Sequence, residues 1–154
     1  MNIDFKRDDF RFNARASAVI YNKELSKVLL FIIEGKDFYM LPGGRIEELE
    51  ESINTIKREI KEELGWDNIV FEFLALSEEF INDIGYNNHQ LNIIYKGIYN
   101  EEIKDTKFKG LEGDWLTFEW VDVKNIDTYK IFPNDIKNII KKENTSKHIV
   151  TNLI

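Results

Sequence analysis

The sequence predicts an α/β or α+β domain in which helices cover both sides of a mixed β-sheet. Residues 28–33 form an uninterrupted apolar run, which is typical of a strand buried on both faces. Residues 52–64 instead place apolar side chains at three- and four-residue steps, the spacing of a helix that lies on a core. The predicted elements follow the order strand, strand, strand, helix, hairpin, strand and helix, and this order gives the fold class.

Strand candidates in the first part of the chain lead to a glycine-containing loop. Residues 12–21 combine small and β-branched side chains, which favours a strand. A polar turn at residues 22–26 leads into the apolar strand of residues 27–34. Residues 38–41 then lead into the glycine-containing loop that precedes the helix.

The helix at residues 52–64 has recognisable ends as well as an apolar side. Ser52 is a candidate N-cap, and Glu50 and Glu51 lie near the positive end of the helix dipole. Gly65 suits the position after the last helical turn, because glycine adopts a left-handed backbone without steric cost. Arg58 can reach back to Glu50 or Glu51 and tie the preceding loop to the helix. The apolar side consists of Ile53, Ile56, Ile60 and Leu64.

The second half of the chain predicts a hairpin and a further strand. Residues 69–79 and 89–99 are two strands joined by a turn at residues 82–88, whose composition is typical of a hairpin. Residues 100–114 are polar and contain glycine, so they predict a long loop, and long loops in compact domains are often functional. A strand at residues 115–123 follows.

A C-terminal helix and a tail complete the prediction. Pro133 suits the first position of a helix that ends near Lys142. Residues 144–154 are either a terminal strand or a frayed end, and the sequence does not decide between them. The apolar side of the predicted helix is formed by Ile136, Ile139 and Ile140.

The composition describes an acidic, cysteine-free globular chain. Its 154 residues suit a single domain spanning residues 1–154. The 28 acidic and 21 basic side chains give a formal net charge of −7, which argues against a general binder of nucleic acids or anionic membranes. The absence of cysteine excludes disulfides, thiolate metal sites and cysteine nucleophiles. Without a signal-like start or a transmembrane-length stretch, we expect a cytoplasmic protein.

The side of the helix away from the apolar stripe carries a group of carboxylates. Glu59, Glu62 and Glu63 are spaced i, i+3 and i+4, so their side chains converge. Each like-charged pair costs about 0.2–0.5 kcal/mol of helix stability. A divalent cation between the carboxylates would remove this repulsion, whereas the simpler interpretation of the spacing alone is a solvated acidic face.

Residues 44–66 resemble the Nudix box, G-x5-E-x7-R-E-U-x-E-E-x-G-U, in which U is a bulky apolar residue. All nine specified positions match in one fixed register, so the resemblance is specific. Leu49 departs from the commonest form of the family, in which a glycine often precedes the box glutamate. The resemblance implies the Nudix fold, an α/β/α sandwich with a mixed β-sheet. The matching residues are Gly44, Glu50, Arg58, Glu59, Ile60, Glu62, Glu63, Gly65 and Trp66.

The resemblance also implies an enzyme that hydrolyses the pyrophosphate bond of a nucleoside diphosphate linked to another moiety. In that family a divalent cation, Mg²⁺ or Mn²⁺, neutralises the phosphates and activates a water. The implied metal ligands are Glu59, Glu62 and Glu63. The implied catalytic residues are Glu59, Glu62 and Arg58, and the structural residues of the motif are Glu50 and Gly65.

The motif by itself does not identify the general base. In this family it is either a box glutamate or a carboxylate on a distant loop. Glu112, in the predicted long loop, is the first candidate, ahead of Glu78 and Glu79. For each of these carboxylates taken alone, an ordinary surface position is the more common situation. His89 begins a strand opposite Glu78 and is a weaker candidate for reaching the same cleft.

Five residues are candidates for binding the substrate. Gly43 and Gly44 let the backbone approach a ligand closely. Arg15, on a strand of small residues, is a candidate phosphate contact, and an ion pair at a sheet edge is the alternative. Tyr39 is a candidate for stacking on a base and its neighbour Phe38 is a further one, although aromatic residues before a loop more often belong to the core.

Three functions compete at this point. The first is a pyrophosphohydrolase of a small nucleotide, with no nucleic acid or membrane as its partner. The second is a catalytically silent Nudix module that binds a nucleotide as a regulator; the intact glutamate set argues against it. The third, hydrolysis of an RNA cap, is disfavoured by the negative net charge. The substrate, the number of metals and the oligomeric state stay open, and homodimers are common among relatives.

Overall fold

The computed structural model describes residues 1–83, 86–142 and 147–153, which form one mixed sheet with helices on both faces. A 3-10 helix at Val123–Thr128 follows the ninth strand. The helices are α1 (Ser52–Leu64) and α2 (Ile136–Ile140). The strands are β1 (Asp4–Arg7), β2 (Phe10–Asn22), β3 (Lys27–Ile33), β4 (Tyr39–Met40), β5 (Gly43–Arg45), β6 (Glu72–Asp83), β7 (Tyr86–Tyr99), β8 (Lys107–Gly110), β9 (Gly113–Asp122) and β10 (His148–Leu153).

The sheet is built around the long strand β2. Its order is β10-β6-β7-β2-β3-β9-β8, with β1 and β5 also paired to β2 and β4 paired to β3. Strands β2 and β7 run parallel, as do β6 and β10, whereas β2 with β3 and β6 with β7 are antiparallel. The mixed sheet is therefore confirmed.

Side chains alternate between the two faces of β2 and so join two separate cores. Ala18 and Ile20 pack with Ile56 and Ile60 of α1. The intervening Val19 and its neighbour Tyr21 pack in the other core, whose helical side chains are Ile136, Ile139 and Ile140 of α2. The layers are thus helix, sheet and helix, and the predicted α/β/α sandwich is confirmed.

The predicted strands are present, but β1, β5 and β8 were missed. Strand β1 precedes the first predicted strand, β2, and pairs with it, and β5 lies in the predicted glycine-containing loop. Strand β8 lies inside residues 100–114, so the prediction of one long loop there is wrong in its second half. The β8–β9 hairpin contains glycine and polar residues that resemble a loop in composition. The tip of the predicted turn at residues 82–88, residues 84–85, lies outside the described part of the chain.

The ends of α1 follow the prediction at one terminus only. Gly65 has a φ of 75°, and its N–H donates to the carbonyl of Lys61 at 2.9 Å, so the predicted glycine stop is confirmed. Ser52 is wrong as the N-cap, because Glu51 holds that position and Ser52 is the first helical residue. The Ser52 hydroxyl instead lies 2.6 Å from the hydroxyl of Tyr95 on β7. The side chain of Ser52 thus makes a tertiary contact with β7 and is not the helix cap.

The C-terminal elements settle the remaining alternatives. Helix α2 begins at Ile136, with Asp135 as its N-cap, so Pro133 is wrong as the first helical position. Residues 148–153 form β10, parallel to β6, which decides for a terminal strand in the described part of the tail. No helix among the described residues has the length and apolar content needed to cross a membrane.

Candidate active site

Arg58 on α1 ties the glycine-containing loop to the helix. Its Nε donates to Oε2 of Glu50 at 2.8 Å and its Nη2 donates to Oε1 of Glu50 at 2.9 Å. Nη2 also donates to the carbonyl of Arg45 at 3.3 Å. The sequence left Glu50 and Glu51 as alternative partners of Arg58, and the guanidinium pairs with Glu50. Hydrogen bonding to Arg58 lowers the pKa of the Glu50 carboxyl to about 2, despite partial burial.

Replacing Arg58 by Lys is expected to lower the free energy of unfolding by about 1–3 kcal/mol. The ammonium group of lysine cannot form the two parallel hydrogen bonds that Glu50 accepts from the guanidinium. Thermal and urea unfolding at pH 7 measure the difference. The control is Lys57→Arg, the reverse substitution at the exposed residue before Arg58. It should leave the free energy of unfolding within about 0.5 kcal/mol of the wild-type value. Equal stability of both variants would contradict this account.

Three carboxylates from two separate elements meet beside this clamp. Glu59, Glu62 and Glu112 each offer an oxygen, and the three oxygens lie within 4.8 Å of one another. Glu59 also accepts a hydrogen bond from Nη1 of Arg58 at 2.9 Å. Glu112 lies in the turn between β8 and β9, which is joined to α1 because the N–H of Leu111 donates to the carbonyl of Glu63 at 2.8 Å. The structure thus brings the predicted loop carboxylate to two of the three box glutamates.

Glu63 lies inward of this group, at the side of α1 that faces the core. Only 6% of the residue is exposed, and its Oε2 has no hydrogen-bond partner among the described residues. Burial raises the pKa of the Glu63 carboxyl to about 8, and the neighbouring Glu59 adds to the rise. The sequence carried a signal for this burial, since Glu63 follows Ile60 by three residues and Ile56 by seven.

The two glycines before α1 allow close packing around Glu59. A Cβ on Gly44 would lie 2.2 Å from the carboxyl carbon of Glu59, so any side chain there would displace that carboxylate. A Cβ on Gly43 would lie 2.1 Å from the carbonyl oxygen of Ala16 on the paired strand β2. Gly43 thus allows close backbone packing, and Gly44 leaves room for the carboxylate of Glu59. Leu49, at the position where the family often has glycine, has a φ of 63° and is fully exposed.

A cavity of about 610 Å³ opens on the α2 face of the sheet. Arg15 lines it and donates from Nη2 to the carbonyl of Leu41 at 3.0 Å, just before the glycine pair. Burial lowers the pKa of the Arg15 guanidinium, while the charges of Glu79, Glu63 and Glu59 act in the opposite direction. Arg15 therefore lies between the cavity and the carboxylates of α1.

Tyr39 is not among the residues that line this cavity. Its hydroxyl donates to Oε1 of Glu119 at 3.0 Å, and its ring packs edge-on against Tyr129 with centroids 5.4 Å apart. Its neighbour Phe38, together with Phe132, supplies the aromatic wall of the cavity. Phe38 and Tyr39 are consecutive residues of an extended segment, so their side chains point in opposite directions.

The remaining candidates from the sequence lie in three different environments. Glu78 is paired with the ring of His148 at 2.7 Å. Its neighbour Glu79 points to the other face and lines the cavity, buried to 1% exposure. Burial raises the pKa of Glu79, against the effect of its hydrogen bonds. His89 packs against the rings of Phe12 and Phe80. None of these three candidates joins the group formed by the α1 carboxylates.

Arg15 and Glu79 were candidates from the sequence, but the polar cavity floor that they share with other side chains was not predicted. It combines Arg15 and Ser17 of β2 with Gln90 and Asn92 of β7 and Glu79 of β6. Amide side chains at every second position, 88, 90 and 92, were the available signal of a polar strand face. That signal does not identify the strands beside it, because strand order is a tertiary property.

Comparison with known proteins is consistent with this architecture. A family model described as the NUDIX domain matches residues 11–142. The fold is similar to that of the Escherichia coli dihydroneopterin triphosphate pyrophosphohydrolase, with a TM-score of 0.68 and 18% identity over 90% of this chain and 95% of that chain. It is also similar to the NUDIX domain of Shewanella oneidensis NrtR complexed with ADP ribose, with a TM-score of 0.63 and 16% identity over 90% of each chain.

One similarity at the level of sequence is stronger. The m7GpppN-mRNA hydrolase of Saccharomyces cerevisiae is 42% identical over 109 residues, which are 71% of this chain and 11% of that protein. The chain therefore spans only a small part of the length of this relative. The family match and the fold confirm the predicted family. The chain belongs to the Nudix hydrolase family.

Proposed function

We propose that this protein is a metal-dependent hydrolase that cleaves a pyrophosphate bond in a small nucleotide, with residues 1–154 acting as one domain. The observation that carries the proposal is the meeting of Glu59, Glu62 and Glu112 within 4.8 Å. The cavity of about 610 Å³, with Arg15 on the side nearest these carboxylates, supplies room for a nucleoside. A cytoplasmic location and a homodimer stay predictions.

The donor set fits Mg²⁺ or Mn²⁺. Carboxylate oxygens are the ligands that these hard cations accept, and the unpartnered oxygen of Glu63 is a buried acceptor that a cation would satisfy. Glu59 and Glu62 would hold the ion from the exposed side and Glu63 from the core side, with Glu112 beside them. When bound, the ion would offset the charge of the pyrophosphate and lower the pKa of a coordinated water.

The other residues position the site and the substrate. Arg58 holds Glu59 and the loop through its hydrogen bonds, so it fixes where that carboxylate stands. Arg15 is suited to bind a phosphate oxygen, because its guanidinium lies at the border of the cavity and the acidic group. Gly43 and Gly44 keep the backbone of this border free of side chains.

Glu112 is proposed as the general base that takes a proton from the attacking water. Glu112→Gln is expected to lower kcat by about 10²-fold, because the amide keeps the shape of the side chain but cannot accept that proton. Steady-state kinetics with Mg²⁺, with Glu101→Gln as an exposed control, measure the effect. If Glu112→Gln keeps wild-type turnover while Glu62→Gln loses it, a box glutamate is the base.

A substrate panel tests the function itself. The chain is incubated with nucleoside triphosphates, nucleotide sugars, ADP-ribose and a capped RNA, each with Mg²⁺ or Mn²⁺, and the products are separated by chromatography. Hydrolysis of at least one small nucleotide, lost on adding EDTA, is expected. Tight nucleotide binding without hydrolysis of any member would overturn the proposal in favour of the silent module.

Cap hydrolysis is the second candidate, and the 42% identity to the yeast m7GpppN-mRNA hydrolase favours it. The net charge of −7 opposes it, because RNA binding relies on neutralising backbone phosphates. Release of the cap nucleotide from capped RNA, at a higher kcat/KM than for any small nucleotide, would decide for this candidate.

A further inference from the structure

The floor of the cavity contains a buried carboxylate that lies outside the group of Glu59, Glu62 and Glu112. It belongs to Glu79 of β6, which is 1% exposed. A charged or polar group buried this deeply is costly unless it is hydrogen-bonded. Both of its oxygens accept hydrogen bonds, so the cost is met by the two amide side chains beside it.

These hydrogen bonds determine which end of each amide faces the carboxylate. Nε2 of Gln90 donates to Oε2 of Glu79 at 2.5 Å, and Nδ2 of Asn92 donates to Oε1 of Glu79 at 3.1 Å. Both carboxylate oxygens act as acceptors in these bonds, so the nitrogen of each amide is turned towards Glu79. Burial raises the pKa of the Glu79 carboxyl, while the hydrogen bonds of the two amides and the charge of Arg15 act in the opposite direction.

The two amides differ in what they leave for a ligand. The Oδ1 of Asn92 accepts a hydrogen bond from the hydroxyl of Ser17 at 2.8 Å, so both ends of Asn92 are used. The Oε1 of Gln90 has no hydrogen-bond partner within the described part of the chain, and it is not among the buried unpartnered atoms. Gln90 lines the cavity, so what it offers there is a hydrogen-bond acceptor.

The walls of the cavity suit a flat ring beside that acceptor. Phe38 and Phe132 meet edge to face with centroids 6.3 Å apart, and Met40 and Pro133 extend the apolar lining. Aromatic and apolar side chains of this kind hold a heteroaromatic base, while a few polar groups select its edge.

We propose that Glu79 is a specificity-determining positioning residue, which orients Gln90 so that the cavity selects a nucleotide whose base carries an exocyclic amino group. The inference rests on the proposed function only in taking the ligand to be a nucleotide. The amino group donates to Oε1 of Gln90, and a base without it leaves that oxygen unpaired. Loss of one such hydrogen bond corresponds to about a tenfold change in affinity.

The test measures binding of nucleoside monophosphates without metal, by calorimetry or NMR titration, so it does not depend on hydrolysis. Each pair of ligands differs by one amino group: adenosine against purine riboside, guanosine against inosine, and cytidine against 2-pyrimidinone riboside, all as 5′-monophosphates. For at least one pair, the wild-type chain should bind the amino ligand about tenfold more tightly. Equal binding within every pair, or no binding of any ligand, overturns the inference.

Three variants distinguish loss of the orientation of the Gln90 amide from a general loss of folding. In Glu79→Gln the new amide can donate as well as accept, so Gln90 can present either end and the preference should fall to less than about twofold. Gln90→Met removes the amide at similar length and should abolish the preference while the carboxylate stays. Glu78→Gln makes the same change of charge on the opposite face of the strand and should keep the preference for the amino ligand.

The outcomes distinguish this inference from the proposed function. Retention of the preference in Gln90→Met overturns the inference even if Glu79→Gln does not fold. If Glu79→Gln is folded by circular dichroism and keeps the binding preference, Glu79 does not orient the amide of Gln90. That result also overturns the inference. Failure of hydrolysis in the substrate panel, with the binding preference intact, overturns the proposed function alone.

Discussion

Glu62→Gln is expected to lower kcat by about 10²- to 10³-fold with Mg²⁺, the largest loss of activity that we expect from a single substitution. The change removes one of three negative charges that meet within 4.8 Å, while the shape of the side chain is kept. Steady-state kinetics on a substrate identified by the panel measure the loss. The side chain of Glu62 is 47% exposed, so the melting temperature should stay within a few degrees of the wild type.

The matched control for this substitution is Glu51→Gln. Glu51 is exposed at the other end of α1, and its side chain forms no capping hydrogen bond. Its replacement makes the same change of charge on the same helix and should leave kcat within about twofold. Wild-type turnover in Glu62→Gln, or an equal loss in both variants, would contradict a specific role of the three-carboxylate group.

The second large effect concerns the stability of the metal-free protein, which should fall as pH rises from about 5 to 8. Burial raises the pKa of Glu63 from 4.5 to about 8, so the folded chain holds a proton there that the unfolded chain releases. Between these values the folded state binds more protons than the unfolded state, so the free energy of unfolding decreases with pH. The slope is at most about 1.4 kcal/mol per pH unit for this one group.

Glu63→Gln should remove the part of that slope that Glu63 contributes and make the metal-free chain more stable than the wild type at pH 8, while Glu59 and Glu79, whose pKa values burial also raises, keep their share. The neutral amide cannot ionise, so it avoids the cost of a buried charge at high pH. Urea unfolding in EDTA at pH 5, 6, 7 and 8 measures both chains, and Glu51→Gln should behave as the wild type. Adding Mg²⁺ should stabilise the wild type more at pH 8 than at pH 5, because the ion competes with the proton. A slope unchanged by Glu63→Gln would contradict the burial of an unpartnered carboxyl.

The helix that carries the motif could be predicted because its determinants are local. The spacing of Ile56 and Ile60, the stop at Gly65 and the reach of Arg58 to the preceding loop all lie within one helix and its flanks. Interactions at three- and four-residue steps follow from helix geometry alone. One conclusion drawn from the same spacing was incomplete: Glu62 and Glu63 are neighbours in sequence, yet one is exposed and the other is buried.

Glu112 shows where local reasoning needed the resemblance to a family. It lies 50 residues beyond Glu62, and no periodic pattern connects them. The resemblance directed attention to a distant loop carboxylate, but the surrounding residues were predicted as loop, whereas they form the β8–β9 hairpin. The contact between Leu111 and Glu63 that brings this hairpin to the helix joins two backbone groups, so it leaves no trace in side-chain identity.

Residue spacing over short distances was enough to predict the family, the motif helix with Arg58 reaching back to the preceding loop, and the alternation of strands and helices. Three other relations emerge only in the folded chain: Glu63 is enclosed, Glu112 lies beside Glu59, and the amide of Gln90 donates to Glu79 in the cavity floor. These three relations depend on which strands are neighbours and on how closely the layers pack. Such distances are set by the whole core, so no single segment of the chain encodes them.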